Sequence, residues 1–383
     1  MVNKVLVVGK YYSPFMGGIE DNTAAIARGL ARDGHDVTAL VNAHGGGGDV
    51  EEMMDGVLVI RRKPWITISN QPIAWNLFKG VDLSQFDLIH FHAPNPFANA
   101  MLLSRLGDAH KRPGVVVTHH MDIKGRPGLR EVSRMLYANL VRKAQLVVVT
   151  SMKNAHLSSD LPANAPLAAI PLGVEPENYV LDAAGRESAL AWRRELVGGD
   201  APLIGFLGRH ARYKGLDVLM RALARMPGVH AAIAGDGPYR ARTEALAASL
   251  GIADRVHFLG KVNHATKLKL LSSIDVYAFP STEITEAFGI SQLEAMLCGA
   301  PVVASNLPTG VTDVSIDGQT ALTCKPLDHV DLGAKLQTLI DDRVLARKLI
   351  DGARVHVLAN MTASTIEAKT CNAILSTLAR SAA

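Results

Sequence analysis

The sequence predicts an α/β protein built from two doubly wound domains, and three observations predict it. Short apolar runs recur along the chain and alternate with segments of helical period. The alternation pauses once, in a proline- and glycine-bearing stretch near residues 170–185, and then resumes. The 383 residues, 48% hydrophobic and 20% charged, are enough for two separate cores.

The first half opens with an apolar strand over residues 4–9. A helix over 20–33 follows, with Gly34 placed to end it as a C-cap. Strands are expected over 36–41, 57–62, 87–91, 115–118 and 145–149, with a helix over 129–143 between the last two. The four glycines Gly45–Gly48 read as a mobile loop tip. In the second half, strands are expected over 202–207, 231–234, 256–259, 274–279, 302–304 and 320–324, and helices fill 329–359. Strands that alternate with helices form parallel sheets, which bind ligands at the carboxyl ends of their strands. The loops after Gly9, Phe91, Thr118 and Thr150 are therefore the ones to inspect in the first half.

Composition narrows the function. Aromatic residues are only 5% of the chain, which disfavours base stacking and hence nucleic acid as partner. Cys298, Cys324 and Cys371 show neither a pairing pattern nor metal-ligand spacing, and read as reduced core thiols of a cytoplasmic protein. The first residues read straight into a strand, so no secretory leader is expected, and no apolar run has membrane-spanning length. The net charge of +4 is carried by residues 1–172, with 18 Lys and Arg against 14 Asp and Glu; the remainder has 22 of each. That excess suits an anionic membrane surface or a diphosphate-linked partner, and equally suits ordinary scatter.

The densest chemistry lies in residues 280–296, a loop running into a helix that is expected to begin near Phe288. Glu286 and Glu294 bracket it, about 12 Å apart if the intervening residues rise as a helix. Carboxylates accept paired hydroxyls, so two at that distance match the two ends of a nucleotide sugar. The amides of Phe288, Gly289 and Ile290 would be orphan donors at a helix N-terminus, an anion site, and Gly289 lets a ligand approach the backbone. The plain alternative is an amphipathic helix with two exposed glutamates. In residues 208–215, glycines at both ends bracket Arg209, Arg212 and Lys214 without the order of a Walker loop. Such cations suit a diphosphate leaving group, with Arg212 the one expected to face solvent.

Other loops hold weaker signals. Gly17 and Gly18 precede a helix and permit close backbone approach, as would a plain turn. His90 and His92 are expected to point to opposite sides of their strand, which argues against a metal. His119 and His120 admit a metal pair, a buried structural histidine or a polar catalytic group, and Asp122 either orients His120 or caps a turn. Residues 124–143 hold six basic side chains among apolar ones, from Lys124 and Arg126 to Lys143. A membrane-surface helix and a helix with one packed and one solvated face both fit them.

The run EAFGISQLEAM, followed by CGAPVVAS, resembles the signature of the retaining family-4 glycosyltransferases of GT-B fold. Within that family, FGI-x-QLEAM with PVVAS is similar to the bacterial mannosyl- and rhamnosyltransferases of polysaccharide assembly. The resemblance extends to residues 11–20, 90–97, 118–122, 171–174 and 208–215. It implies two Rossmann-like domains facing across a cleft: an acceptor-side domain over 1–174, joined by a C-terminal helix from about 361–383, and a nucleotide-sugar domain over 175–360. It implies that Glu286 contacts the donor sugar and Glu294 the ribose, and that Arg209 and Lys214 clamp the diphosphate. It further implies donor contacts from Gly18, Val262, Phe288, Gly289 and Ile290, and makes His120 the histidine beside the sugar. The implied reaction is retaining transfer from a nucleoside diphosphate sugar, GDP-mannose before a UDP-sugar, to a saccharide or polyprenyl-diphosphate-linked acceptor. No Asp-x-Asp motif occurs, so no metal and no other cofactor is expected. The rival readings are an epimerase or phosphorylase on the same fold, or a non-catalytic sugar-nucleotide-binding subunit.

Overall fold

The computed structural model describes residues 2–15, 17–68, 71–107, 113–123 and 127–381. Met16, Lys124 and Arg126, which belong to the glycine-rich and basic stretches above, lie outside the described residues. The chain divides into two compact units, Met1–Ile170 with Ile366–Ala383, and Pro171–Thr365.

The first unit is built on β1 (Lys4–Val8), β2 (Asp36–Asn42), β3 (Val50–Met54), β4 (Val57–Arg62), β7 (Leu88–Ala93), β8 (Gly114–His119), β9 (Leu146–Val149) and β10 (Leu167–Ala169). Strands β5 (Ile66–Ile68) and β6 (Gln71–Ile73) form a separate hairpin. The large sheet runs β10-β9-β8-β7-β1-β2-β4-β3, and only the β3–β4 pairing is antiparallel. Val5, Leu6, Val7 and Val8 are fully buried, as a central strand covered on both faces requires. Helix Gly18–Arg32 contributes Ile26 and Leu30 to one core, which Ile366, Cys371 and Ile374 of the last helix, Ala363–Ser381, complete. The strand order reverses between β1 and β7, so the crevice at their carboxyl ends is this unit's natural ligand position.

The second unit holds β11 (Leu203–Leu207), β12 (His230–Ala234), β13 (Val256–Gly260), β14 (Val276–Phe279), β15 (Val302–Ser305) and β16 (Leu322–Cys324), ordered β13-β12-β11-β14-β15-β16. Every pairing is parallel. The switch point lies between β11 and β14, and the loops that leave these strands are 208–215 and 280–289.

Several expectations shift. The stretch to Gly185, read as linker, ends at helix Ala183–Val197, which Asp182 caps by accepting from the Gly185 amide. Strand β3 went unread because it is an edge with a mostly exposed, charged sequence, VEEMM. The three-residue strands β5 and β6 are too short to leave a period.

Candidate functional site

In the second unit the site assembles at the β11/β14 switch point. The loop after β11 tightens into a 3-10 turn, Arg212–Lys214, ended by Gly215 at φ 66°. A side chain at Gly215 would collide with the Pro280 carbonyl, so the glycine lets this loop lie on the one after β14. The Thr282 amide donates to Tyr213 O at 2.7 Å and ties the two together. That contact brings Lys214 Nζ within 2.5 Å of Glu286 Oε2, with both side chains about a tenth exposed at 11% and 8%. Ser281 Oγ donates to the same carboxylate oxygen at 2.8 Å. The ammonium also lies 5.3 Å from the ring centres of both Tyr213 and Phe279. Arg209 and Arg212 are exposed. Burial pushes the Tyr213 phenol up, the Glu286 charge adds to that and Arg209 opposes it, so both charges act on one ring.

The helix after this loop is Ile290–Leu297, two residues later than the sequence suggests. Gly289 is its N-cap in the left-handed region at φ 81°, and a Cβ there would strike the Phe279 ring. Phe288 is buried core rather than a first-turn residue. Only the second half of the Glu286–Glu294 interval is therefore helical, and the 12 Å estimate built on helical rise does not apply. Glu294 is not an exposed helix glutamate either. Its Oε1 accepts from Lys267 Nζ at 2.7 Å and from Tyr179 Oη at 2.7 Å. Val262, half-buried beyond β13, packs against the same core as Phe288.

In the first unit, histidines cluster at the ends of β7 and β8. Residues i and i+2 share a strand face, so the expectation that His90 and His92 diverge is wrong: their rings lie 4.4 Å apart, both buried. His90 Nε2 pairs with Thr118 Oγ1 at 2.7 Å, and His92 Nδ1 pairs with His120 Nε2 at 3.0 Å. Burial, and then the neighbouring imidazole charge, lowers His90 and His120 to about 3, so both are neutral at pH 7. Asp122 does not orient His120; its Oδ1 faces His119 Nε2 at 3.3 Å, and it accepts from the Ser159 amide at 2.9 Å and from the Ser158 hydroxyl. Against the upward pull of burial, these hydrogen bonds hold the Asp122 carboxyl well below the usual range. Among the described residues no group of three or more His, Cys, Asp or Glu could hold a metal ion.

Gly17 caps helix Gly18–Arg32, and Glu20 at N3 folds back so closely that a Cβ on Gly17 would meet its carboxylate. A Cβ on Gly18 would meet nothing within 4 Å, so Gly18 borders open space. Beside this loop a cavity of about 560 Å³ opens among Lys10, Tyr11, Phe15, Glu20, His44 and Lys63.

Comparison with known proteins agrees with this architecture. The family described as Glycosyltransferase Family 4 matches residues 16–178, and Glycosyl transferases group 1 matches residues 191–356. The O-antigen chain mannosyltransferase C of Escherichia coli is 28% identical, with 92% of each chain covered. A GDP-mannose-dependent α-(1-6)-phosphatidylinositol monomannoside mannosyltransferase of Mycolicibacterium smegmatis is 27% identical, with 88% of each covered. The solved structure of a sucrose-phosphate synthase from Thermosynechococcus elongatus superposes with a TM-score of 0.77 at 22% identity, over 99% of this chain and 100% of that one.

The chain belongs to the family-4-like glycosyltransferases of GT-B fold.

Its two halves, matched by the two family descriptions, coincide closely with the two compact units. Within this glycosyltransferase the second unit brings Lys214, Glu286 and Ser281 together and leaves Arg209 exposed beside them. The sequence reading missed Lys267 and Tyr179 as partners of Glu294 and His92 as partner of His120. Nothing local marks them: Lys267 sits in helix His264–Ser273, whose composition, HATKLKLLSS, reads as an ordinary surface helix.

Proposed function

We propose that this glycosyltransferase of glycan biosynthesis is retaining and metal-independent. It moves a sugar from a nucleoside diphosphate donor, mannose from GDP-mannose before a UDP-sugar, to a hydroxyl of a saccharide or lipid-linked acceptor. The observation that carries the reading is the buried Lys214–Glu286 pair at the switch point of the second sheet. A nucleoside diphosphate has two kinds of group to satisfy there. Lys214 and Arg209 meet the negative charge that grows on the diphosphate as the glycosidic bond breaks. Glu286 accepts from the sugar hydroxyls and Glu294 from the ribose.

Glu286 already holds an ammonium and a serine hydroxyl, an arrangement suited to hydrogen bonding and poorly suited to nucleophilic attack. This favours front-face departure, with the leaving phosphate taking the acceptor proton. His120, neutral, contacts a donor-sugar hydroxyl in this reading. The amides of Gly289 and Ile290 replace a metal with fixed dipoles. The mannosyl and GDP-mannose choices follow the activities named for the two mannosyltransferases above.

On the acceptor side, the cavity that Glu20 borders offers Lys10 and Lys63 for phosphate and Tyr11, Phe15 and His44 for sugar faces. Peripheral membrane contact has support from helix Pro127–Lys143, which exposes Leu129 (72%), Val132 (57%) and Met135 (64%) at spacings of three. The decisive assay combines candidate donors with acceptor and EDTA. Transfer with retained anomeric configuration, insensitive to EDTA, supports the proposal. Inversion, or loss of rate on chelation, ends it.

A further inference from the structure

Each carboxylate of the E-x7-E segment carries its own lysine, delivered by a different element: Lys214 for Glu286 and Lys267 for Glu294. The second pair has a third member. Tyr179, in the 3-10 turn Pro176–Tyr179, donates its hydroxyl to the same Glu294 oxygen that Lys267 reaches. Lys267 Nζ also lies 5.1 Å from the Tyr179 ring centre, so the three side chains form one compact group. Burial, and then the hydrogen bond with Glu294, push the Tyr179 phenol well above its usual range, so it stays a donor.

The convergence has a chemical consequence. Among the described residues both donors meet Oε1 and neither reaches Oε2. A glutamate side chain on a helix has several rotamers, and a hydroxyl ligand bound by a free one must also order it. Two donors on one oxygen fix the rotamer and leave the other oxygen as a pre-aimed acceptor.

We infer that Lys267 and Tyr179 are positioning residues that hold Glu294 so that its Oε2 selects donors with a ribose over those with a deoxyribose. This inference rests on the assignment of Glu294 to the ribose. The test is calorimetric binding of UDP and GDP against their 2′-deoxy and 3′-deoxy forms, to wild type and to Glu294→Gln, Lys267→Met, Lys267→Arg and Tyr179→Phe. Wild type should prefer a ribose by about tenfold or more, one hydrogen bond to a charged group. Glu294→Gln and Lys267→Met should each reduce that preference to within about threefold, with binding of the deoxy forms little changed. Tyr179→Phe should fall between, and Lys267→Arg should restore the preference.

If Glu294→Gln keeps the wild-type preference, the ribose assignment fails and the inference falls with it. If Glu294→Gln abolishes the preference but Lys267→Met retains it, the assignment stands and the inference is overturned. Equal weakening of ribose and deoxyribose forms in Lys267→Met also overturns it, since that marks a direct or purely structural role.

Discussion

Removing one partner of the Lys214–Glu286 pair should cost nearly as much stability as removing both. The two side chains are 11% and 8% exposed and 2.5 Å apart, so neither charge can turn to bulk water when its partner goes. Breaking such a buried pair costs about 3–5 kcal/mol, mostly through the stranded charge. The two halves are not equivalent. Lys214→Met leaves the Glu286 carboxylate with the Ser281 hydroxyl, so we expect about 3 kcal/mol. Glu286→Gln leaves the ammonium between the Tyr213 and Phe279 rings and beside an amide oxygen, so we expect about 2 kcal/mol. The double variant should cost less than the sum by about 2 kcal/mol, because neither charge is then stranded. For a unit of this size one kcal/mol moves Tm by about 2–4 °C, so the single variants should lower the second unit's transition by about 4–12 °C. Scanning calorimetry of the four proteins reads this directly, and turnover should drop at least about tenfold in each single variant. Singles that melt within about 2 °C of wild type, or a double variant that is simply additive, would refute the reasoning.

The remaining predictions are independent of that pair. Gly289→Ala should destabilise the second unit by about 3 kcal/mol, because it combines a left-handed φ of 81° with a Cβ driven into the Phe279 ring; calorimetry checks it. Arg209→Ala, at an exposed position, should weaken nucleoside diphosphate binding without moving Tm, as titration and melting together would show. Acid should destabilise the first unit. His90 is held near 3 in the folded protein against about 6.5 unfolded, so the unfolded chain binds more protons between these values and stability falls as pH drops below 6.5. The share of that loss due to His90 alone is about 1.4 kcal/mol at pH 5.5, and His90→Asn should lessen the pH dependence of that unit's melting without removing it, because His92 and His120 are lowered too. Leu129→Glu with Met135→Glu should abolish co-sedimentation with anionic vesicles while leaving donor binding intact; retained sedimentation would remove helix Pro127–Lys143 from the membrane proposal.

Much of this protein was legible along the chain. Central parallel strands are buried on both faces, so their apolar runs stand out, and glycines with a required conformation, Gly215 and Gly289, sit where the sequence places tight loops. The two glutamates and the Arg209–Lys214 loop stand out as local patterns, but the spacing between Glu286 and Glu294 does not follow from helical rise, because the helix begins only at Ile290. The edge strand Val50–Met54 was not legible, because its exposed charged sequence lacks the pattern that burial imposes.

What only the tertiary structure decided is which side chain faces which. Glu286 meets a lysine 72 positions earlier, and Glu294 meets Lys267 and Tyr179 across 27 and 115 positions. His120 is oriented by His92 on the neighbouring strand rather than by Asp122 two residues away. Spacing along a helix or strand is set by the backbone and can be read in order. Pairing between elements is set by sheet order and packing, which bring distant residues to one strand end and leave no trace in the sequence around them.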